Sequence, residues 1–293
     1  MHININNKKT LLLLGTHKGF SIYSFFTMKL LRKKEFRGGI GAIDCLETSN
    51  ILAMTGGGLF PQFPTNKLII WDDDEEKIKA EVVFKHEINA IKFKYDFLIV
   101  VCDYKIFIYS FFENLKLKYE INTIYNNKGK IEINSIDQPS IIAYSISQEQ
   151  NDSSKYEGII CVMNLTQNIK KNIHAHQSPV KTFKLNYKGD LIATASIKGT
   201  LIRIYNVQTG KMTHNLRRGI ESTVVYSMDF DYFDNWIICI SNSGSLHIWK
   251  IDENQNKKQN KMTKYFLNLL SNTVRNFTNI KVDATIHTFV FFD

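Results

Sequence analysis

The sequence predicts an all-β fold, a seven-bladed β-propeller whose last blade looks unfinished, and three observations carry that expectation. Composition is the first: 44% of the 293 residues are hydrophobic and 12% aromatic, with 4 prolines. Phe, Tyr, Ile and Val suit pleated, half-buried strands, and so few prolines leave ladders unbroken. The second is a repeat. Phe20-Ser21-Ile22-Tyr23, Leu68-Ile69-Ile70-Trp71, Ile106-Phe107-Ile108-Tyr109, Leu201-Ile202-Arg203-Ile204-Tyr205 and Leu246-His247-Ile248-Trp249 each end an apolar run in an aromatic, 38 to 48 residues apart with one double step. That is the period of one four-stranded blade. The third is an internal alignment: Leu191 to Thr200 matches Trp236 to Ser245 as strand, small-residue turn and strand.

Six blades follow in order, starting near Thr10, Gly41, Asn89, Lys130, Ser178 and Thr223, within one domain spanning 1–293. Leu11 to Leu14 and Phe20 to Tyr23 make the first, Leu68 to Trp71 the second, and Ile106 to Tyr109 the third. The degenerate copy from Gly158 to Met163 marks the fourth. The aligned hairpins after Leu191 and Trp236 give the fifth and sixth, and Thr285 to Phe292 starts a seventh. Propellers close by pairing strands from both termini, so either Met1 to Lys9 completes the ring or the chain ends before a full circle. A β-sandwich or separate β domains would need no regular period.

With 37 Lys and Arg against 28 Asp and Glu, the net charge of +9 predicts attraction to polyanions without choosing among them. Cys45, Cys102, Cys161 and Cys239 are far apart and show no zinc spacing, so they read as reduced core residues, and no metal or cofactor is expected. Leu11 to Leu14 is too short for a signal peptide, and Phe97 to Phe112 is interrupted by Asp103 and Lys105 before it reaches membrane-span length. Gly56-Gly57-Gly58 lacks the Gly-Lys-Ser/Thr ending of a phosphate loop, and Asp72 to Glu76 reads as a solvated turn. No Gly-x-Ser-x-Gly, His-Glu-x-x-His or nucleic-acid module occurs, so neither an enzyme nor a nucleic-acid binder is expected.

One short motif points to an anionic ligand: Asn215-Leu216-Arg217-Arg218-Gly219. Neighbouring side chains on an extended segment leave on opposite faces, so the two arginines serve two pockets more readily than one. Each guanidinium offers a planar fork of donors that matches phosphate oxygens in pairs. Before it stand Ala175-His176-Gln177-Ser178-Pro179 and Ala195-Ser196-Ile197-Lys198-Gly199-Thr200-Leu201-Ile202-Arg203, and earlier still Gly56-Gly57-Gly58 with Pro64 to Asp72.

Taken together these motifs resemble the PROPPINs, WD-repeat-like propellers of the autophagy and endolysosomal system that bind phosphoinositides. The resemblance implies two sites for phosphatidylinositol 3-phosphate or the 3,5-bisphosphate. Arg217 would serve the first with His176, Ser196, Thr200 and Arg203; Arg218 would serve the second with Ser241, Ser243, Ser245 and His247. Ser245 stands where the family usually has Thr, and Ile220-Glu221 follows Gly219 where polar residues are commoner, which bears on lipid selectivity.

A long loop, 251–281, is placed within the sixth blade. In it Lys257, Lys258, Lys261 and Lys264 flank Tyr265 and Phe266, and on a helix Met262, Phe266, Leu269, Leu270 and Phe277 share one side. A basic flank beside an apolar stripe suits a membrane interface, and the family's membrane-inserting loop is similar. The alternative for the apolar part is packing against the propeller. The expected protein is therefore a non-enzymatic, cytoplasmic, monomeric effector, peripheral on phagophore, endosomal or vacuolar-type membranes. It would meet phosphoinositide-containing membrane and autophagy or trafficking proteins. The competing expectation is a protein-interaction scaffold with no lipid role.

Overall fold

The computed structural model describes residues 2–146 and 158–251. Its strands pair antiparallel with their sequence neighbours, and no helix occurs among the described residues. Two compact units result: Met1–Ile133 with Ile146–Gln148, and Asn134–Ser145 with Glu149–Asp293.

Unit 1 opens with a sheet of β1 (His2–Ile5), β2 (Leu11–Thr16), β3 (Gly19–Ser24) and β4 (Leu30–Glu35). A second holds β5 (Ile40–Cys45), β6 (Ile51–Gly56), β7 (Lys67–Asp72) and β8 (Lys77–Val83). A third holds β9 (Ile88–Lys94), β10 (Phe97–Cys102), β11 (Lys105–Ser110) and β12 (Lys116–Asn122), and the two-residue β13 (Glu132–Ile133) follows. Between the sheets, Leu13, Phe20, Ile43, Leu52, Met54 and Ile69 form one core cluster and Leu68, Ile70, Ile91, Leu98 and Val100 another.

Unit 2 contains β14 (Ile141–Ser145), β15 (Ile159–Asn164) and β16 (Ile169–His174) in one sheet. The next holds β17 (Val180–Leu185), β18 (Leu191–Ser196), β19 (Leu201–Asn206) and β20 (Met212–Arg217). The last holds β21 (Val225–Phe230), β22 (Trp236–Ser241) and β23 (Leu246–Lys250). Its own clusters alternate with the sheets. Ile141, Val162, Phe183, Ile192 and Tyr205 pack on one side of the β17–β20 sheet, and Ala193, Ile202, Ile204, Leu216, Met228 and Phe230 on the other.

The repeated aromatic endings have a structural meaning. In β3–β4, β7–β8, β11–β12 and β19–β20 the register slips between Ile22 and Tyr23, Ile70 and Trp71, Ile108 and Tyr109, and Ile204 and Tyr205. A bulge at the same place in each sheet bends the outer strand and increases its twist. The aromatic sits at the bend: Trp71, Tyr109 and Tyr205 are buried, and Tyr205 Oη donates to the Ala175 carbonyl at 2.7 Å.

Five of the six expected starts lie within two residues of the first strand of a sheet, whereas Thr10 adjoins a second strand, β2. The first sheet begins at His2, not Thr10, because β1 pairs with β2 from His2 opposite Gly15 to Ile5 opposite Leu12. Asn6 makes this hairpin. Its Oδ1 accepts from the Thr10 and Leu11 amides at 2.8 and 2.9 Å, and its Nδ2 donates to the Glu47 carbonyl at 3.0 Å. Asn186 and Asp231 hold corresponding turns, through the Gly189 and Leu191 amides and the Trp236 amide. The segment before Thr10 therefore builds the first sheet. All four cysteines are buried and unpaired, and burial pushes the thiols of Cys45, Cys102 and Cys239 up to about 12.

Asn6 is 2% exposed, so Asn6→Ala strands the donors and acceptor that it satisfies. Urea unfolding is expected to show a loss of about 1–3 kcal/mol, the cost of buried polar groups left unpaired. An unchanged midpoint would remove β1 from the cooperative fold.

Candidate functional site

The site grows from the pleat of β20. Leu216 lies opposite Ile202 and is buried in the cluster shared with β21 and β22, so its face is fixed by packing. Arg217 must leave on the other face, opposite Leu201. On that face β19 presents Arg203, and β18 presents Thr194 opposite it.

On the Arg217 side, Arg203 Nη1 donates to the Ala175 carbonyl at 2.7 Å, which also accepts from Tyr205. Arg203 Nε is buried with no partner among the described residues. His176 Nε2 lies 3.1 Å from Thr194 Oγ1. Burial, and to a lesser degree the charge of Arg203, lowers the His176 pKa to about 4, leaving the ring neutral near pH 7. Arg217 itself is exposed and makes no hydrogen bond or ion pair among the described residues. Ser196 is buried on the same strand face as Thr194, and its hydroxyl likewise has no hydrogen-bond partner among them. This pocket has donors to spare.

Arg218 continues on the Leu216 side and is held. Its amide and that of Gly219 donate to the Thr200 carbonyl at 2.9 and 3.5 Å. Its Nε donates to the Gly199 carbonyl at 2.6 Å and its Nη2 to the Glu221 carbonyl at 2.5 Å. Both partners are backbone carbonyls, so its charge is not neutralised by them.

Beyond it, the β22–β23 turn gathers three hydroxyls. Ser241 Oγ lies 2.9 Å from both Ser243 Oγ and Ser245 Oγ, which are 2.7 Å from each other. Residues two apart project the same way, and the turn closes with a Gly244 amide to Ser241 carbonyl bond of 2.9 Å. His247 Nε2 lies 3.2 Å from Ser245 Oγ, and its ring stacks on Trp249 at 5.6 Å. Burial first, and then the Arg218 charge, lowers the His247 pKa.

The structure thus brings His176 and Arg203 together on the Arg217 face, and Ser241, Ser243, Ser245 and His247 together within electrostatic reach of Arg218. Thr200 presents its carbonyl to the Arg218 and Gly219 amides. Thr194 and the Ala175 carbonyl were not expected. Thr194 was findable, because it precedes Ser196 by two in a strand. The expected membrane loop, with Lys261, Met262, Lys264, Tyr265, Phe266, Leu269 and Leu270, lies outside the described residues. No helix among the described residues is long and apolar enough to cross a membrane, and none of their His, Cys, Asp and Glu side chains cluster to hold a metal.

The family model described as PROPPIN matches residues 3–289. Autophagy-related protein 18e of Arabidopsis thaliana is 31% identical over 242 residues, covering 82% of this chain; the chain spans 62% of that protein's length. Among solved structures, Kluyveromyces lactis Hsv2 superposes with a TM-score of 0.72 at 23% identity, covering 88% of this chain and 76% of that one. A complex of KlAtg21 with the coiled-coil of AgAtg16 gives 0.72 at 22% identity, covering 86% and 80%. This likeness shows the fold, an all-β propeller, of which six blades fall in the described residues and the sixth shows three strands.

The half-buried His176 carries a pH dependence whose sign follows from its lowered pKa. The folded pKa of His176 is below the free value of 6.5, so the unfolded chain binds more protons between pH 6.5 and about 4. Its contribution to stability is full above pH 6.5 and declines through that window on acidification. His2 acts in the same direction, and Asp44, raised to about 6, in the opposite one. His176→Gln is therefore expected to flatten the decline in unfolding free energy between pH 6.5 and 4 relative to wild type. Parallel curves would contradict a neutral, half-buried ring.

Proposed function

The chain belongs to the PROPPIN family, and on that premise we propose that it reads 3-phosphorylated inositol lipid on a membrane surface and recruits proteins there, without catalysis. Membership supports the broader assignment, a phosphoinositide-binding, autophagy-related propeller. The finer reading, phosphatidylinositol 3-phosphate or the 3,5-bisphosphate bound at two pockets, is supported by one observation: β20 turns Arg217 away from the Leu216 face, whereas Arg218, just past the strand end, lies near enough to Cys239 and His247 for its charge to act on both.

At the first pocket, a phosphate would take the uncommitted fork of Arg217 and the orphaned Nε–H of Arg203, with Ser196 Oγ as a further donor. A charge-assisted bond relieves the cost of a buried donor left unpaired. His176 is neutral and tied to Thr194, so it offers a ring N–H rather than a full charge. At the second, the free donors of Arg218 would meet phosphate beside the three serine hydroxyls. Their mutual bonds can be exchanged for bonds to phosphate oxygens by rotation alone.

Neither guanidinium is paired with a carboxylate among the described residues, so none of their carboxylates competes with a phosphate there. Two weak pockets on one rigid sheet bind a membrane far better than either does singly, because the second capture is intramolecular. The membrane loop is proposed to add apolar insertion and lysine attraction to anionic lipid. Peripheral attachment to phagophore, endosomal or vacuolar-type membranes belongs to the same proposal. So does a protein partner: the KlAtg21 complex holds the coiled-coil of AgAtg16, and an autophagy protein of that kind fits a recruiting role here.

Liposome flotation with phosphatidylinositol 3-phosphate is expected to bind the wild type and to lose at least about 100-fold in apparent affinity for Arg217→Thr/Arg218→Thr, the scale of lost avidity. Binding by the double variant equal to wild type would reject the lipid reading and favour a protein-interaction scaffold.

A further inference from the structure

Arg217 and Arg218 are neighbours in sequence and unequal in structure. Arg217 is exposed and uncommitted, whereas Arg218 has Nε on the Gly199 carbonyl and Nη2 on that of Glu221. The Gly199 carbonyl is presented by the β18–β19 turn, which closes with the Gly199 amide on the Ser196 carbonyl at 2.9 Å and needs φ +58° at Gly199. The chain after Arg218 returns against this turn: the Thr223 amide and Ser222 Oγ both donate to the Lys198 carbonyl, at 3.0 and 3.2 Å. So close is this return that a Cβ on Gly199 would lie 1.9 Å from the Thr223 carbonyl oxygen. That clash is with backbone and cannot be relieved by a rotamer change.

We propose that Gly199 is the positioning residue of the Arg218 pocket: by letting the 221–223 segment lie against the turn, it locks the Arg218 guanidinium between two carbonyls, pre-aimed at the serine hydroxyls. The Arg217 pocket has no such lock and orders its guanidinium only when a ligand arrives. Preorganisation lowers the ordering cost of binding, so the two pockets differ in how their affinity arises. The same contact explains why Gly199 and Gly244, at matching places in their hairpins, differ in consequence. Both have positive φ, but among the described residues only Gly199 delivers a carbonyl to an arginine.

The headgroup arm of the test rests on the phosphoinositide reading; the exchange arm does not. In the full chain labelled with 15N-arginine and free of ligand, the Nε–H of Arg218 is expected to exchange slowly with solvent and that of Arg217 rapidly. Gly199→Ala should abolish the protection of Arg218 alone. Equal exchange at both arginines in the wild type, or protection surviving in Gly199→Ala, would overturn the proposal. Titration with soluble inositol 1,3-bisphosphate should show Gly199→Ala weakening only the site that Arg218→Thr removes. The expected loss is roughly five- to tenfold, the scale of one side chain left to be ordered. Equal weakening at both sites would mark a general structural defect and overturn the positioning role. A wild type that takes up no headgroup would reject the lipid reading while the exchange result still decides the role of Gly199. Should Gly199→Ala not fold, Ser222→Ala removes one bond of the return segment and is expected to lower Arg218 protection in part; unchanged protection counts against the lock.

Discussion

The burial of Leu216 is the constraint on which the rest depends. This side chain is 5% exposed in a cluster with Ile202, Ile204, Val225, Met228 and Phe230, and a one-residue slip of β20 would turn it to the other face. Holding Leu216 fixes the face of Arg217, and Arg218, past the strand end, is then aimed by the Gly199 and Glu221 carbonyls. Arg203 and Tyr205 are fixed by the same logic on the adjacent strand, where Tyr205 is buried in the opposite cluster. The placing of Arg217 and Arg203 is a by-product of hydrophobic alternation, and it costs no special backbone conformation within the strands.

The surroundings of the two arginines then differ chemically. On the Arg217 face the buried Arg203 Nε has no partner among the described residues and a histidine is kept neutral by desolvation, so those residues leave hydrogen-bonding capacity unsatisfied. Around Arg218 the polar groups are satisfied among themselves, by carbonyls at the guanidinium and by mutual contacts in the serine triangle. An anion entering the first gains bonds that were absent; one entering the second exchanges bonds that exist. Salt screens both pockets, and the more exposed Arg217 more strongly.

Much of the architecture was legible because it is written in residue type and period. The strand-ending aromatics marked the outer pairs, and the structure gives them a cause in the bulge that recurs at Tyr23, Trp71, Tyr109 and Tyr205. The arginine pair was visible as a motif, and Ser241, Ser243 and Ser245 were implied only by the resemblance that the motif carries. The first strand was not legible. His2 to Ile5 is short and polar at every second residue, and its only sequence signal is Asn6 ahead of Thr10, whose likeness to Asn186 in a later turn is visible once the turns are compared. Nor was the commitment of Arg218 legible, since backbone carbonyls carry no residue signature. The Thr200 carbonyl, which accepts from the Arg218 amide, is a contact of the same kind.

Divergence of the arginines is tested most directly by a crystal structure of the chain with soluble inositol 1,3-bisphosphate. Two headgroups are predicted, one against Arg217 and Arg203, the other between Arg218 and the hydroxyls of Ser241, Ser243 and Ser245. A single headgroup gripped by both guanidiniums, or headgroups bound away from both, would contradict it.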